Sequence, residues 1–236
     1  MNSPINRAMT NLLDCILLSK DVVSKFHDEY KNNSVFKRWI DENIPEVSLC
    51  EKQEQKTPWH IYNVLDHILH SVDNMNQLAS HLEYSDRRML VYTMFFHDIG
   101  KPYAHSYDKN RKQDRFFDHN IKSEAIAKDV LPKLGFSFEE RRIIQALIFK
   151  HDIFMFIKVH PVSNPYWKQL SENLIKKEMA ELDNVGDGYK LLKFLIMVGK
   201  ADSLAQNPQM ATLEVHEKME KMLFKIQSEK EENITE

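Results

Sequence analysis

His97 and Asp98 are neighbours in a 236-residue chain, and they close a stretch, Met89 to Phe96, that is apolar on every side of a helix. A helix with no polar face belongs in the centre of a domain. An imidazole beside a carboxylate at its end therefore places two strong metal ligands inside the protein, or else two groups that cap carbonyls and pair with each other. Asp202 raises the same choice. It continues the strip Leu191, Leu195, Val198 at steps of four, three and four residues, while Lys190, Lys193 and Lys200 take the opposite side. A carboxylate on an apolar face requires a cation or several donors, whether a metal, an arginine or a helix N-terminus. His151 stacks on Ile144, Leu147 and Ile148, as a ligand or as a satisfied core histidine. His67 sits at the rim of an apolar arc of Val64, Leu65, Ile68 and Val72, in a polar strip with His60, Ser71 and Asn74, and His70 turns further towards solvent.

Helices must position these residues. Helical periodicity predicts them over 7–31, 34–41, 59–80, 86–98, 121–134, 138–151, 168–183, 189–205 and 209–232. Thr57-Pro58 reads as a cap followed by proline in the first turn, Ser85 as a cap, and Ser137 with Glu140 as a capping box. Gly135 closes one helix, and Gly186 and Gly188 separate two more. Residues 99–118, with Gly100, Pro102 and a polar tip from Asp108 to Asp114, read as a loop or short hairpin. Pro161 and Pro165 mark an irregular connection over 152–167.

The fold class this predicts is all-α. Five glycines leave little for a turn-rich β-sandwich, and no glycine-rich phosphate-loop or dinucleotide-binding pattern is present. A formal charge of -3 excludes a strong basic field for long duplex nucleic acid. No run of 18 apolar residues occurs, and Asp14 interrupts the apolar stretch from Leu12 to Leu18, so the expectation is a cytoplasmic protein without a membrane segment. Cys15 and Cys50, each among apolar neighbours, are expected as buried free thiols.

His67, then His97-Asp98, then Asp202, in that order on helices, resembles the HD superfamily of metal-dependent phosphohydrolases. The block His97-Asp98-Ile99-Gly100-Lys101-Pro102 carries that family's signature, and the likeness spans about 57–207. Ile44 to Val47, Trp59-His60 with Asn63, Val64 and His67, Phe117-Asp118-His119 with Ser123 and Ala125, and Lys200-Ala201-Asp202 look most like the HD region of CCA-adding tRNA nucleotidyltransferases and bacterial poly(A) polymerases. No nucleotidyltransferase domain precedes residue 57, which excludes polymerisation. Asp118 and Asn120 stand where that pattern has glycine and glutamate. No Gly-Tyr-Pro follows the signature, which disfavours cyclic-di-GMP cleavage.

The resemblance implies an HD-domain helical bundle with a hairpin or loop excursion near 103–118. It implies an N-terminal helical arm over 1–56, a phosphohydrolase domain over 57–207 and a C-terminal helix and charged tail over 208–236. His67, His97, Asp98 and Asp202 would hold one ion, with His119 and His151 at a second position and Asp98 between the two. Imidazole with carboxylate suits Mn, Fe, Co, Ni or Zn, and Mg less well. Asp98 and Lys101 are the expected catalytic residues, while Lys101, His60, Arg111 and Arg115 would face a phosphorylated substrate, a nucleotide or an RNA-end phosphate, through a metal-activated water. Some HD proteins instead use such ligands in a di-iron oxygenase, and a non-catalytic nucleotide-binding module is a third reading. Residues 1–40 and 209–232 are left as either a homodimer interface or a lid.

Overall fold

The computed structural model describes residues 3–161 and 163–235. The outermost residues of the expected N-terminal arm and charged tail (1, 2 and 236) lie outside the described residues. The chain opens with α1 (Pro4–Leu17), α2 (Val22–Asn32), α3 (Ser34–Asn43) and α4 (Glu46–Lys52). The centre follows as α5 (Val64–Leu78), α6 (Tyr84–Phe96) and the single turn α7 (Lys101–Ala104). Strands β1 (His105–Asp108) and β2 (Gln113–Phe116) pair antiparallel, with His105 opposite Phe116. Then come α8 (His119–Val130), α9 (Phe138–Lys150) and a 3-10 helix (His151–Phe156). The short parallel pair β3 (Ile157–Lys158) and β4 (Lys168–Gln169) leads to α10 (Glu172–Leu182), α11 (Gly188–Leu204) and α12 (Glu214–Thr235). The architecture is the all-α bundle with one small hairpin excursion that the sequence predicts.

Helix α6 is the axis. Met89 through Phe96 are all buried, and α5, α8, α9 and α11 surround them. A helix buried on every side can end only in residues that also tolerate burial, and here those are His97 and Asp98, 0% and 2% exposed. Gly100 follows at a point of close approach. A Cβ there would lie 2.5 Å from the Ser123 backbone nitrogen, so any side chain would push α8 away, and the Gly100 N–H donates to Ser123 Oγ. Signature block and α8 are thus locked together through a missing side chain.

Several boundaries differ from the periodicity: α4 lies outside every expected helix, the helix expected from 168 starts at Glu172 after β4, and the one expected from 209 starts at Glu214. The span 7–31 is two helices, because Asp21 turns out of the helix and caps α2 through the Ser24 N–H. The helix expected from 59 begins at Val64. Thr57 pairs its hydroxyl with the His60 ring, and Asn63 accepts from the Asp66 N–H instead. His60 therefore lies in a loop and not two turns before His67. Ser85 caps nothing, since α6 starts one residue earlier after Glu83. The capping box of Ser137 and Glu140 forms as expected. Cys50 is buried, but Cys15 is exposed on the outer face of α1, contrary to the expectation for both thiols.

Candidate metal centre

Four imidazoles and three carboxylates converge where α5, α6, α8, the end of α9 and α11 meet. His67 Nε2 lies 3.1 Å from Asp98 Oδ2 and 2.9 Å from Asp202 Oδ1. His97 Nε2 lies 3.3 Å and 3.6 Å from the same two oxygens. Asp98 turns its other oxygen the opposite way, 3.0 Å from His119 Nε2 and 3.6 Å from His151 Nε2. The ligand atoms form two groups, His67, His97, Asp98 and Asp202 in one and Asp98, His119 and His151 in the other, each with all members within 4.8 Å. Asp98 belongs to both, one oxygen to each.

The imidazoles are oriented by a repeated device. His97 Nδ1 sits 2.6 Å from the Met94 carbonyl, His119 Nδ1 2.8 Å from that of Phe116, and His151 Nδ1 2.6 Å from that of Ile148. Each partner is the carbonyl three residues back. A carbonyl only accepts, so Nδ1 carries the proton and Nε2 turns a lone pair into the centre. His67 reaches the same state from another helix, with Nδ1 3.4 Å from the Ala205 carbonyl at the end of α11.

A divalent ion fits this arrangement on three grounds. His67 Nε2 and His97 Nε2 are buried with no hydrogen-bond partner, although carboxylate oxygens stand within 3.6 Å. Atoms that crowd without bonding to each other share a target between them. Ligands of one ion at about 2.1 Å stand about 3.0 Å apart in octahedral and about 3.4 Å apart in tetrahedral arrangements, and the measured spacings straddle these values. Among the described residues, Asp98 is paired with the Lys101 ammonium while Asp152 and Asp202 face only imidazoles, which leaves two negative charges if those are neutral.

Electrostatics tell the same story. Burial alone would raise the Asp98 and Asp202 carboxyls, yet both are held well below the usual range. For Asp98 the opposing groups are His97, Lys101, His119 and His151, and for Asp202 they are His67 and His97. Burial disfavours charge on His97, but Asp98 and Asp202 outweigh it and lift the imidazole to about 10. In the second group, burial again opposes and Asp152 and Asp98 raise His151. The site demands positive charge, and a proton on His97 answers that demand when nothing else does. His119 Nε2 and His151 Nε2 face each other at 3.1 Å, a contact that two lone pairs would not keep without a cation or proton between them.

The remaining candidates divide. Lys101 is 5% exposed, neither a solvated loop lysine nor one reaching outwards, and its Nζ lies 2.6 Å from Asp98 Oδ2. His60 packs edge-on against His67 at 5.0 Å, and its Nε2 faces Lys101. Burial first, then Lys101, depresses the His60 imidazole to about 2. Arg111 and Arg115 belong to neither group. They sit at the hairpin, where Arg115 pairs with Asp108 and lies over the Phe117 ring. His70 stacks on Tyr62 away from the centre.

Two participants escape the reading from sequence. Asp152 places its oxygens 3.3 Å from His119 Nε2 and 3.4 Å from His151 Nε2. Its signal was present, for His151-Asp152 repeats the dipeptide His97-Asp98. Gln55, 5% exposed, accepts from Lys101 at 2.8 Å; in the polar run Glu51 to Lys56 nothing distinguishes it. Asn120 makes a structural bond, donating to the Phe149 carbonyl. Asp118 explains the glycine it replaces, because its φ is +59°, a left-handed conformation that glycine adopts freely and aspartate tolerates.

The model of one protein family, described as HD domain, matches residues 64–186, which includes His67 through His151 and stops short of Asp202. No curated protein matches the sequence.

Proposed function

The chain belongs to the HD-domain family of metal-dependent phosphohydrolases, and from that premise we propose that it hydrolyses a small phosphate ester, a nucleotide or RNA-end phosphate, across the two ligand groups. The observation that carries this reading is Asp98, whose two oxygens each serve a different group. In this reading His67, His97, Asp98 and Asp202 hold one ion of Mn, Fe, Co, Ni or Zn, and Asp98, His119 and His151, flanked by Asp152, hold a second. Bound there, such ions lower the pKa of a coordinated water and polarise a phosphoryl oxygen.

The protein's own groups then have defined tasks. The backbone carbonyls of Met94, Phe116 and Ile148 keep Nδ1 protonated and Nε2 available. Lys101 supplies a buried ammonium beside Asp98 for a phosphate oxygen. Asp202 and Asp152, with side chains 18% and 24% exposed among otherwise buried neighbours, mark where solvent and substrate reach the centre. On the Asp152 side a cleft runs between Asn120, Phe149, Ile153 and Phe156, with Glu178 and Lys150 at its base. Phe149 and Phe156 are half exposed and give a planar base apolar faces to stack on, which supports the nucleotide over a bare sugar phosphate. Arg111 and Arg115 contribute only long-range attraction for the anion.

The buried ammonium favours hydrolysis over oxygen chemistry, since Lys101 has a phosphate to meet in the first case and nothing in the second. The test is phosphate release by Mn²⁺-reconstituted protein from nucleoside monophosphates, cyclic nucleotides including 2′,3′-cyclic phosphates, dinucleotides and bis-(p-nitrophenyl) phosphate. Turnover of at least one class is expected. Metal-loaded protein inert towards all of them, or iron-loaded protein that takes up oxygen instead, overturns the reading.

A further inference from the structure

An ammonium has three N–H bonds, and those of Lys101 are all committed. Its Nζ lies 2.6 Å from Asp98 Oδ2, 2.8 Å from Gln55 Oε1 and 3.3 Å from His60 Nε2. Each acceptor is fixed by groups behind it. Gln55 Nε2 donates to the carbonyls of Tyr62 and Asn63 at 3.3 Å and 3.4 Å, so the amide cannot reverse and Oε1 must face Lys101. An ammonium only donates, so His60 Nε2 accepts, and the proton on Nδ1 is given to Thr57 Oγ1 at 2.9 Å.

The loop that carries Gln55 and His60 is itself tied down at both ends and from both sides. The Val64 N–H donates to the Gln53 carbonyl, and Lys56 and Asp114 exchange two bonds, 2.7 Å and 3.0 Å, that strap the loop to the hairpin. Asn207, beyond α11, donates from its backbone to the Trp59 carbonyl and from its side chain to that of Pro58. Lysine alone has a flexible four-carbon stem and many rotamers. Here the acceptors select one.

We propose that Gln55 is a positioning residue for phosphate recognition: its amide oxygen holds the Lys101 ammonium beside Asp98, and an arriving phosphate oxygen replaces His60, the most distant of the three acceptors. The inference rests on the reading of Lys101 as the group that meets phosphate. Hydrogen-bond count is kept through the exchange, because the ammonium loses one neutral acceptor and gains a charged one.

Inorganic phosphate binding to Mn²⁺-loaded protein, measured by titration calorimetry, tests this without turnover. Gln55→Leu should weaken binding about tenfold, the lower end for loss of a group that orients another, and Lys101→Ala should weaken it at least as much. The double variant should bind no worse than Lys101→Ala alone, a coupling that a merely structural role for Gln55 would not produce. Melting temperatures report whether each variant folds, and Gln55→Met, closer in length, replaces Gln55→Leu where that variant does not. Wild-type affinity in the Gln55 variant, losses that multiply in the double variant, or wild-type protein that binds no phosphate would each overturn the proposal. Protein that binds phosphate through Gln55 and Lys101 but hydrolyses no ester would sink the hydrolase reading alone.

Discussion

The two ligand groups share Asp98 and differ in almost everything else. His67 comes from the first turn of α5, His97 from the residue that closes α6 and Asp202 from α11, and all three helices pack on one another over long apolar faces. Their geometry is set by core packing, which resists change. His119 and His151 come instead from the first residue of α8 and the residue that closes α9. His119 depends on the left-handed backbone of Asp118, and His151 on the turn where an α-helix tightens into a 3-10 helix. Asp152, which flanks this second group, is more exposed than Asp202 of the first. One group is built into the core and the other is hung on its edges, so the first should bind more firmly and the second should be the one that exchanges.

Asp98→Ala is the severest break. With the shared carboxylate gone, both groups lose a ligand, and metal content measured on protein purified without chelator should fall from one or two equivalents to near zero, with ester hydrolysis at background. Retention of a full equivalent would show that the groups are independent. Next comes the asymmetry itself. Asp202→Ala should abolish binding at the core group and with it hydrolysis, whereas His151→Ala should leave about one equivalent bound and turnover reduced but measurable. Equal metal retention in wild type and Asp202→Ala would refute the comparison.

Acidity provides a subtler test. The folded metal-free chain raises His97 to about 10, above its ordinary 6.5, so its stabilising contribution is complete below pH 6.5 and is lost as pH climbs through about 10. Asp98 and Asp202 run the other way, with stability present above their ordinary range and lost as pH falls towards their depressed values. Metal must displace the His97 proton, so affinity should rise by about tenfold per pH unit across pH 7 to 9. The melting temperature of metal-free protein should fall over the same window. A pH-independent affinity would mean that His97 is already neutral. The smallest effect belongs to the edge: Asp118→Gly should relieve roughly 1 kcal/mol of backbone strain and raise the melting temperature by about 2–4 °C, with metal content unchanged.

What was legible in the sequence follows this same division. Asp202 and His151 announced themselves as polar residues on apolar stripes, and Met89 to Phe96 marked the axis, because burial leaves a periodic trace. Helix type held for the long buried spans and failed at the breaks near Ser19 and Gln53 to Asn63, where Asp21 and Asn63 won the capping role over the more conspicuous Thr57-Pro58, at α4, which no expected helix covered, and at Lys168–Gln169, which form a strand. Gln55 and the burial of Lys101 left no trace, for both depend on a loop whose position is decided by bonds to residues 114 and 207. The exposure of Cys15 was missed because neighbouring leucines and isoleucines face inward while the helix turns the thiol outward. Local pattern reports the face of a helix; it does not report what a distant strand or turn will hold against it.

The wide spacing of the ligands along the chain also has a consequence during biosynthesis. Every member of the edge group has been made once residue 151 is added, but the core group waits for Asp202, 51 residues later. At 5–20 residues per second that interval is roughly 3–10 s. Throughout it His67 and His97 have Asp98 as their one carboxylate, so the core group is incomplete while the chain grows. If these four residues hold an ion, it can be seated only in the completed molecule, after α11 has packed against α5 and α6.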